Sequence, residues 1–298
     1  MRFLILSLFL TLTLLAQDRI DRLYHKIYNY LDRGVTSLDA WLASEENLTI
    51  KEPFSFRFYL DSINEEYQDS RFQFGVRAYV ALPAAKNRLN LFIEDFRRRD
   101  DVDTNQKTNI ANSIEQNDYQ VGLQYLGSHF LRYRVGIKVR SFVPDPFVGV
   151  VAQKSISWRK SWVFFGARSL YFVKRHFDHR IFFDYNYRFD EDNLLAFSNS
   201  LRYEQKSTDH YQENHSLSLY HSLSRYALLS GTLNAYLSAN KIDQMRLRYY
   251  YSGIEYTNRI FRPWFFYKIS PGIIFRKEND FDPAWRLQLR FGVIFESH

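Results

Sequence analysis

The feature that most constrains this chain is a two-residue hydrophobic repeat. It is clearest between residues 131 and 140, where odd positions are apolar or aromatic and even positions are basic or glycine. Because successive side chains of a strand point to opposite faces, this segment predicts a strand with one lipid-like face and one charged face. A soluble sandwich would bury the apolar face against a second sheet, whereas in a membrane barrel lipid covers that face and water fills the lumen.

The same alternation recurs from about residue 53 to the C-terminal end. It predicts an antiparallel transmembrane β-barrel of about 14 strands, although 12 to 16 strands would also fit the pattern. Single-chain bacterial barrels have an even number of strands. The predicted strands lie near residues 53–62, 70–82, 87–97, 116–127, 129–141, 147–158, 161–174, 178–189, 193–204, 213–222, 225–239, 245–257, 262–276 and 283–296.

The predicted connections alternate between short and long, which is typical of periplasmic turns and outer loops. The short set comprises residues 83–86, 127–128, 159–160, 190–192, 223–224 and 258–261. The long set includes residues 98–115, 205–212 and 277–282, while two outer loops near Pro144 and Arg175 are predicted to be short.

The composition agrees with a membrane barrel and excludes a bundle of transmembrane helices. Aromatic residues make up 18% of the chain, with 27 Phe and 22 Tyr, and such residues favour pleated surfaces and the interfacial girdles of barrels. The mean hydropathy is only -0.40. The absence of cysteine excludes disulfides and thiolate metal sites and is compatible with export to the periplasm.

The first sixteen residues have the pattern of a secretory signal peptide. Arg2 provides a positive start, residues 3–15 form an apolar run, and Ala16 offers a small residue for cleavage. The apolar run is shorter than the roughly 20 residues that a spanning helix needs. We therefore expect export, with an uncleaved anchor as the alternative.

The next segment, residues 17–50, is predicted to be helical. Apolar residues recur there at helical spacing, with a break near Gly34 that predicts two short helices. Those positions are Ile20, Leu23, Ile27, Tyr30 and Leu31 before the break, and Leu38, Trp41 and Leu42 after it. The helices could plug the lumen, pack beneath it, meet a periplasmic partner or serve only as a connector. The predicted division is thus a signal peptide at 1–16, a periplasmic or plug-like helical segment at 17–50 and a barrel at 51–298.

On these alternating strands, residues 53–298 and the signal segment resemble the bacterial outer-membrane β-barrel superfamily, which includes the porins. The last strand, residues 287–295, is similar to the signal that the barrel-assembly machinery reads. The family commonly ends on Phe, whereas Phe295 is followed here by three further residues. The resemblance implies an outer-membrane location, contact with membrane lipid and lipopolysaccharide, and the assembly machinery as a partner during biogenesis.

The inward positions of the predicted strands are rich in basic residues. Confined positive charge raises the local concentration of anions, and rings of Arg or Lys select anions in pores. We expect a basic ladder in the lumen formed by Arg57, Arg77, Arg132, Arg134, Lys138, Arg140, Arg168, Arg246, Arg248, Arg286 and Arg290. Inward acids are fewer, the main ones being Asp61, Glu94, Asp118, Asp184 and Glu204.

The ladder predicts a porin-like channel for small solutes, with anions favoured. One alternative is a structural or interaction barrel without an open pore, in which Arg–acid pairs stiffen the wall and inward aromatic residues such as Phe92 and Phe182 fill the interior. The strand count leaves this open, since eight strands give a filled lumen and sixteen an aqueous one.

A second alternative is a lipid-modifying or hydrolytic enzyme. Its candidate residues are His215, Ser216 and His221, but neighbours on a strand face opposite sides, so Ser216 and His215 should not meet. A further group, His176, Asp178 and His179, could hold a metal ion or a lipopolysaccharide phosphate. We predict no catalytic site, cofactor or metal.

Nucleotide and nucleic-acid binding are not predicted. The chain has no Walker or dinucleotide fingerprint and no Cys/His zinc spacing. Binding of single-stranded nucleic acid requires basic and stacking aromatic residues on one surface, whereas the alternation places them on opposite faces.

Overall fold

The computed structural model describes residues 20–37, 54–82, 89–95, 118–140, 143–207, 210–240, 244–259 and 262–297. They form one α-helix, α1 (residues 20–37), followed by a closed antiparallel barrel of 14 strands. The predicted signal peptide lies outside the described residues. The strands are β1 (Phe54–Glu65), β2 (Gln68–Leu82), β3 (Leu89–Asp95), β4 (Asp118–Leu126), β5 (Leu131–Arg140), β6 (Val143–Trp158), β7 (Ser161–Phe172), β8 (His176–Arg188), β9 (Asn193–Glu204), β10 (Tyr211–Ser222), β11 (Ala227–Ala239), β12 (Arg246–Asn258), β13 (Phe265–Arg276) and β14 (Pro283–Glu296).

The strands run up and down around the barrel, each paired with its neighbours in sequence, and β14 closes the barrel on β1. The predicted fold and the strand count are confirmed. Four connections at the end where β1 begins are tight, at residues 127–130, 159–160, 189–192 and 223–226. We propose that this end is the periplasmic one, because bacterial barrels carry their short turns there. The predicted turn at 83–86 and the long loop at 98–115 lie outside the described residues.

The two-residue repeat sets which side chains face lipid. Outward positions carry large apolar groups that remain exposed, such as Phe72 (73%), Ile181 (62%) and Trp285 (51%). An isolated soluble domain rarely exposes so continuous an apolar surface. Inward positions on the same strands carry charged, amide and hydroxyl groups, so the barrel has the polarity of a membrane-spanning wall around a polar lumen.

Large inward rings lie flat against the wall because glycines on the same or the neighbouring strand make room for them. A Cβ added to Gly75 would come within 1.9 Å of the Tyr59 ring, its partner across β1 and β2. The Tyr251 ring occupies the space over Gly253 and Gly272 in the same way. Rings held against the wall take up less of the lumen than rings pointing towards its centre, so inward aromatics do not by themselves fill the barrel.

Two local predictions are wrong. The expected break at Gly34 does not occur, because α1 runs through this position to residue 37; the second predicted helix lies outside the described residues. The expected loop around Pro144 is strand, since β6 begins at Val143. Residues 143–146 have ladder partners on β5 alone, and a strand edge without a second ladder tolerates proline, which has no N–H to donate.

Candidate functional site in the barrel lumen

The register places the predicted basic ladder on the inward face. Arg57 and Arg77 are directly opposed on β1 and β2, and Arg134 and Lys138 follow on β5. Arg286 and Arg290 lie on β14 next to acids of β1. Arg140 holds an inward register position opposite Asp118, but its side chain lies outside the described part of the chain.

A concentrated group of charges surrounds Asp178, in the half of the lumen away from the end where β1 begins. Asp178, which is 2% exposed, accepts hydrogen bonds from Arg202 Nε at 3.0 Å and Nη2 at 2.7 Å. Arg168 approaches the same carboxylate at 3.5 Å, and Arg202 also pairs with Glu204 at 2.9 Å. Two guanidinium groups therefore share one buried carboxylate.

Three arginines stand side by side in this region. Arg168 of β7 is paired in register with Arg180 of β8, and Arg180 is paired with Arg202 of β9. We call these three residues the arginine row. Like charges directly opposite each other on neighbouring strands repel, so the row requires counter-charge. Asp178 supplies counter-charge to Arg168 and Arg202, and Glu204 supplies it to Arg202 as well.

A second buried network closes the seam between β1, β13 and β14. Glu65 accepts from Arg276 Nη2 at 3.1 Å and from Arg286 Nη1 at 2.8 Å. Asp61 accepts from Arg290 Nη2 at 2.6 Å. All five side chains are almost fully buried, and charges removed from water are tolerated only when paired and hydrogen-bonded. Part of the predicted ladder is therefore engaged in holding the wall together.

Cations and aromatic rings also stack along the lumen wall. Arg134 lies 4.6 Å from the centre of the Phe92 ring and donates to Gln124 at 2.8 Å. Lys138 lies 5.7 Å from the Phe172 ring. Both cations are buried, and rings attract cations most strongly when water is excluded. Arg134 and Lys138 thus contribute to the wall more than to a surface that solutes can reach.

Other ladder residues remain accessible. Arg57 pairs with Glu296 at 3.3 Å, yet 38% of its side chain is exposed. Arg77 and Arg132 are partly exposed, and Arg246 is exposed. Arg248 sits beside an irregularity in the β11–β12 register and donates to Ser238 at 2.7 Å. The ladder therefore divides into buried wall cations and accessible cations.

Sequence reasoning missed several partners of the ladder. Glu65, Asp145 and Arg276 are buried inward groups that were not among the predicted charges. Asp145 accepts from Arg175 at 3.2 Å and from the Lys174 backbone N–H at 2.8 Å. The alternation near residues 143–146 could have indicated Asp145, but the two prolines there suggested a loop.

The candidate catalytic residues His215, Ser216 and His221 do not lie together. His215 lies on the outward face, where it contacts Asn199 and pairs with Glu213 at 3.2 Å, while Ser216 faces the lumen. His221 contacts Asn193 at 2.9 Å on the outward side. Neither histidine is placed to act as a base for Ser216.

The second candidate group is also divided. Asp178 points inward to its arginines, whereas His179 stacks on Phe177 and Tyr203 at the outer surface. Within the part of the chain that the structure describes, no group of three or more His, Cys, Asp or Glu side chains could hold a metal ion. Among the same residues, no helix is long and apolar enough to cross a bilayer.

No family model matches the sequence, and no curated protein matches it. Several solved structures are similar to this chain. OprB of Pseudomonas putida has 8% sequence identity and a TM-score of 0.50, with 82% of this chain and 94% of that chain covered. The KdgM porin has 7% identity and a TM-score of 0.40, with coverage of 81% and 99%. The CymD monoaromatic hydrocarbon channel has 9% identity and a TM-score of 0.43, with coverage of 90% and 93%.

The closed barrel, its apolar outer wall and its polar lumen define the class of this chain. It is a closed antiparallel β-barrel of 14 strands with an apolar outer wall, and OprB of Pseudomonas putida shares this fold.

Proposed function

We propose that the barrel is a passive channel for small solutes and that its lumen favours anions. The observation that carries the proposal is the arginine row, in which three guanidinium groups stand in register on adjacent strands. Confined positive charge of this kind concentrates anions and repels cations. Accessible arginines elsewhere on the wall, such as Arg77 and Arg132, extend the same field. The solutes are accordingly small carboxylates or phosphates, whose geometry suits guanidinium groups.

The experiment compares anion selectivity in variants that remove one positive charge from different faces of the barrel. Arg77→Gln and Arg180→Gln remove an inward, partly exposed charge, and Lys154→Gln removes an exposed charge from the outward face of β6. In planar bilayers with a salt gradient, we expect each inward variant to lower the anion-to-cation permeability ratio. The decrease should be roughly twofold to fivefold, which is the effect of removing one screened charge close to the permeating ion. Lys154→Gln should leave the ratio unchanged. Equal effects of all three variants would contradict a selective lumen.

A barrel without an open pore is the second candidate, and one observation favours it. Arg286, Tyr251, Phe92 and Lys138 are at most 2% exposed although they face inward, which shows that parts of the wall are tightly packed. Folded protein that produces no conductance steps in the bilayer would support this candidate over the channel. The proposal includes no enzymatic activity, since the separated His and Ser residues offer no site for it.

The proposed partners follow from the same architecture. Membrane lipid and lipopolysaccharide contact the outward wall, the barrel-assembly machinery reads the last strand during biogenesis, and small anions enter the lumen. Nucleic acid is not among the proposed partners, because the inward cations are enclosed by the barrel wall.

A further inference from the structure

Helix α1 lies on the outside of the barrel, not in its lumen. It packs against side chains that face outward on β1, β2, β3 and β14, including Phe54, Leu82 and Phe295. Val80 and Leu82 are 1% and 0% exposed although their strand positions face the membrane side of the wall. The helix therefore occupies the lipid-facing surface at the periplasmic end, where β1 begins and β14 ends.

Specific contacts fix the rotation of α1 about its own axis. The Tyr24 ring stacks on Trp264 and on Phe295 with ring centres 4.6 Å and 4.7 Å apart. The Tyr24 hydroxyl donates to the Ile294 carbonyl at 3.3 Å. Arg262 Nε donates to both carboxylate oxygens of Asp21 at 2.9 Å. Each turn of the helix therefore presents a defined side to the barrel and another to the surroundings.

Only half of the apolar surface of α1 is used in docking. At about 100° per residue, the apolar side chains cover an arc of roughly 160°. The half that packs on the barrel comprises Tyr24, Tyr28, Leu31 and Val35. The other half, Ile20, Leu23, Ile27 and Tyr30, is exposed by 50%, 58%, 37% and 64%. It adjoins the docked half and so continues the lipid-facing wall.

Basic and acidic residues of α1 lie along opposite edges of its apolar face. Lys26 and Arg33 lie next to the exposed apolar half, whereas Asp21 and Asp32 lie next to the docked half. Helices that lie in a membrane interface combine an apolar face with flanking Lys and Arg, which attract anionic headgroups. The basic flank thus borders the side of α1 that would enter the membrane.

We propose that α1 is an interfacial anchor that inserts its exposed apolar half into the periplasmic leaflet and binds anionic phospholipid through Lys26 and Arg33. The occupant of this face is lipid, because the helix is already seated on the lipid-facing wall and its basic flank matches anionic headgroups. The anchor does not depend on whether the lumen conducts.

Depth measurement tests the insertion. The chain has no cysteine, so Ile27→Cys and Asn29→Cys each give one labelling site, the first on the exposed apolar half and the second on the polar face. With an environment-sensitive fluorophore in phospholipid vesicles, we expect blue-shifted emission and strong quenching by lipids spin-labelled near the headgroup at position 27. The fluorophore at position 29 should show the emission of a water-exposed probe and weak quenching. The same water-like signal at both positions would overturn the proposal.

A second measurement tests the lipid charge. Quenching of the position-27 label by spin-labelled phosphatidylglycerol should exceed quenching by spin-labelled phosphatidylcholine at least twofold. The double change Lys26→Gln and Arg33→Gln should remove this preference, and Lys206→Gln with Lys277→Gln, at the outer end, should keep it. Equal quenching in the unmodified helix would contradict binding of anionic lipid.

A second copy of the barrel is the competing occupant, and nanodiscs separate it from lipid. In nanodiscs that hold one barrel each, lipid still covers α1, so the position-27 label should remain blue-shifted. A shift to the water-like signal in single-barrel nanodiscs would show that another chain covers this face and would overturn the proposal.

Discussion

At the scale of single residues, the lumen is organised around a few buried carboxylates. Asp178 forms ion pairs with Arg168 and Arg202. Glu65 forms ion pairs with Arg276 and Arg286. Each carboxylate is at most 6% exposed. A buried ion pair contributes little net stability compared with apolar packing, but removing one partner leaves an uncompensated buried charge. These acids are therefore required for the wall to hold so many cations.

The first prediction concerns Asp178. Replacing it with Asn keeps the shape of the side chain but leaves two arginines without their shared anion. We expect the free energy of unfolding, measured in detergent by denaturant titration, to fall by about 3 kcal/mol. Asp69→Asn, an exposed carboxylate at the outer end, is the matched control and should have little effect. Equal stability of both variants would show that Asp178 is not needed to hold its arginines.

The second prediction concerns the glycines under the inward rings. Gly75→Ala would place a methyl group against the Tyr59 ring, whereas Gly231 has no atom within 4 Å of the corresponding position. We expect Gly75→Ala to lower the free energy of unfolding by about 1–3 kcal/mol, as overpacking does, and Gly231→Ala to have a smaller effect. If the two variants unfold alike, the flat packing of Tyr59 is not required.

At the scale of secondary structure, α1 is held by an ion pair whose strength depends on pH. The hydrogen bonds from Arg262 lower the pKa of Asp21 below its ordinary value of 3.8. The carboxylate is thus charged at neutral pH, and its contribution to docking is present above pH 3.8 and lost as the pH falls through the lowered pKa.

The third prediction follows from this pH dependence. A spin label on Asn29→Cys should be immobile at neutral pH and more mobile well below pH 3.8. In the Asp21→Asn background, the label should show the higher mobility at every pH. A label whose mobility does not change with pH in the native background would mean that Tyr24 and its ring contacts hold the helix without the ion pair.

The elements differ in how well the sequence predicts them. Strands were predictable because lipid on one side and water on the other impose a two-residue repeat, which local sequence records. The location of α1 could not be predicted, because the spacing of Ile20, Leu23 and Ile27 indicates an apolar face without indicating what covers it. The Gly34 break was wrongly predicted because the packing of Val35 against the barrel supports the last turn.

At the scale of the whole molecule, the lumen could be predicted only in part. The alternation assigns the arginines of the ladder, such as Arg168 and Arg286, to the inward face, but their partners depend on register. Asp178 lies 24 residues from Arg202, and Glu65 lies 211 residues from Arg276 across the seam that closes the barrel. Sequence alone therefore predicts a basic lumen without showing which cations are paired in the wall and which stay accessible.

We propose that the barrel is an open channel whose excess of inward cations favours anions. The most direct test is the zero-current potential of the native protein in a planar bilayer across a tenfold gradient of potassium chloride. We expect stable conductance steps and a potential whose sign corresponds to chloride permeating faster than potassium. A potential of the opposite sign, or folded protein that never conducts, would contradict it.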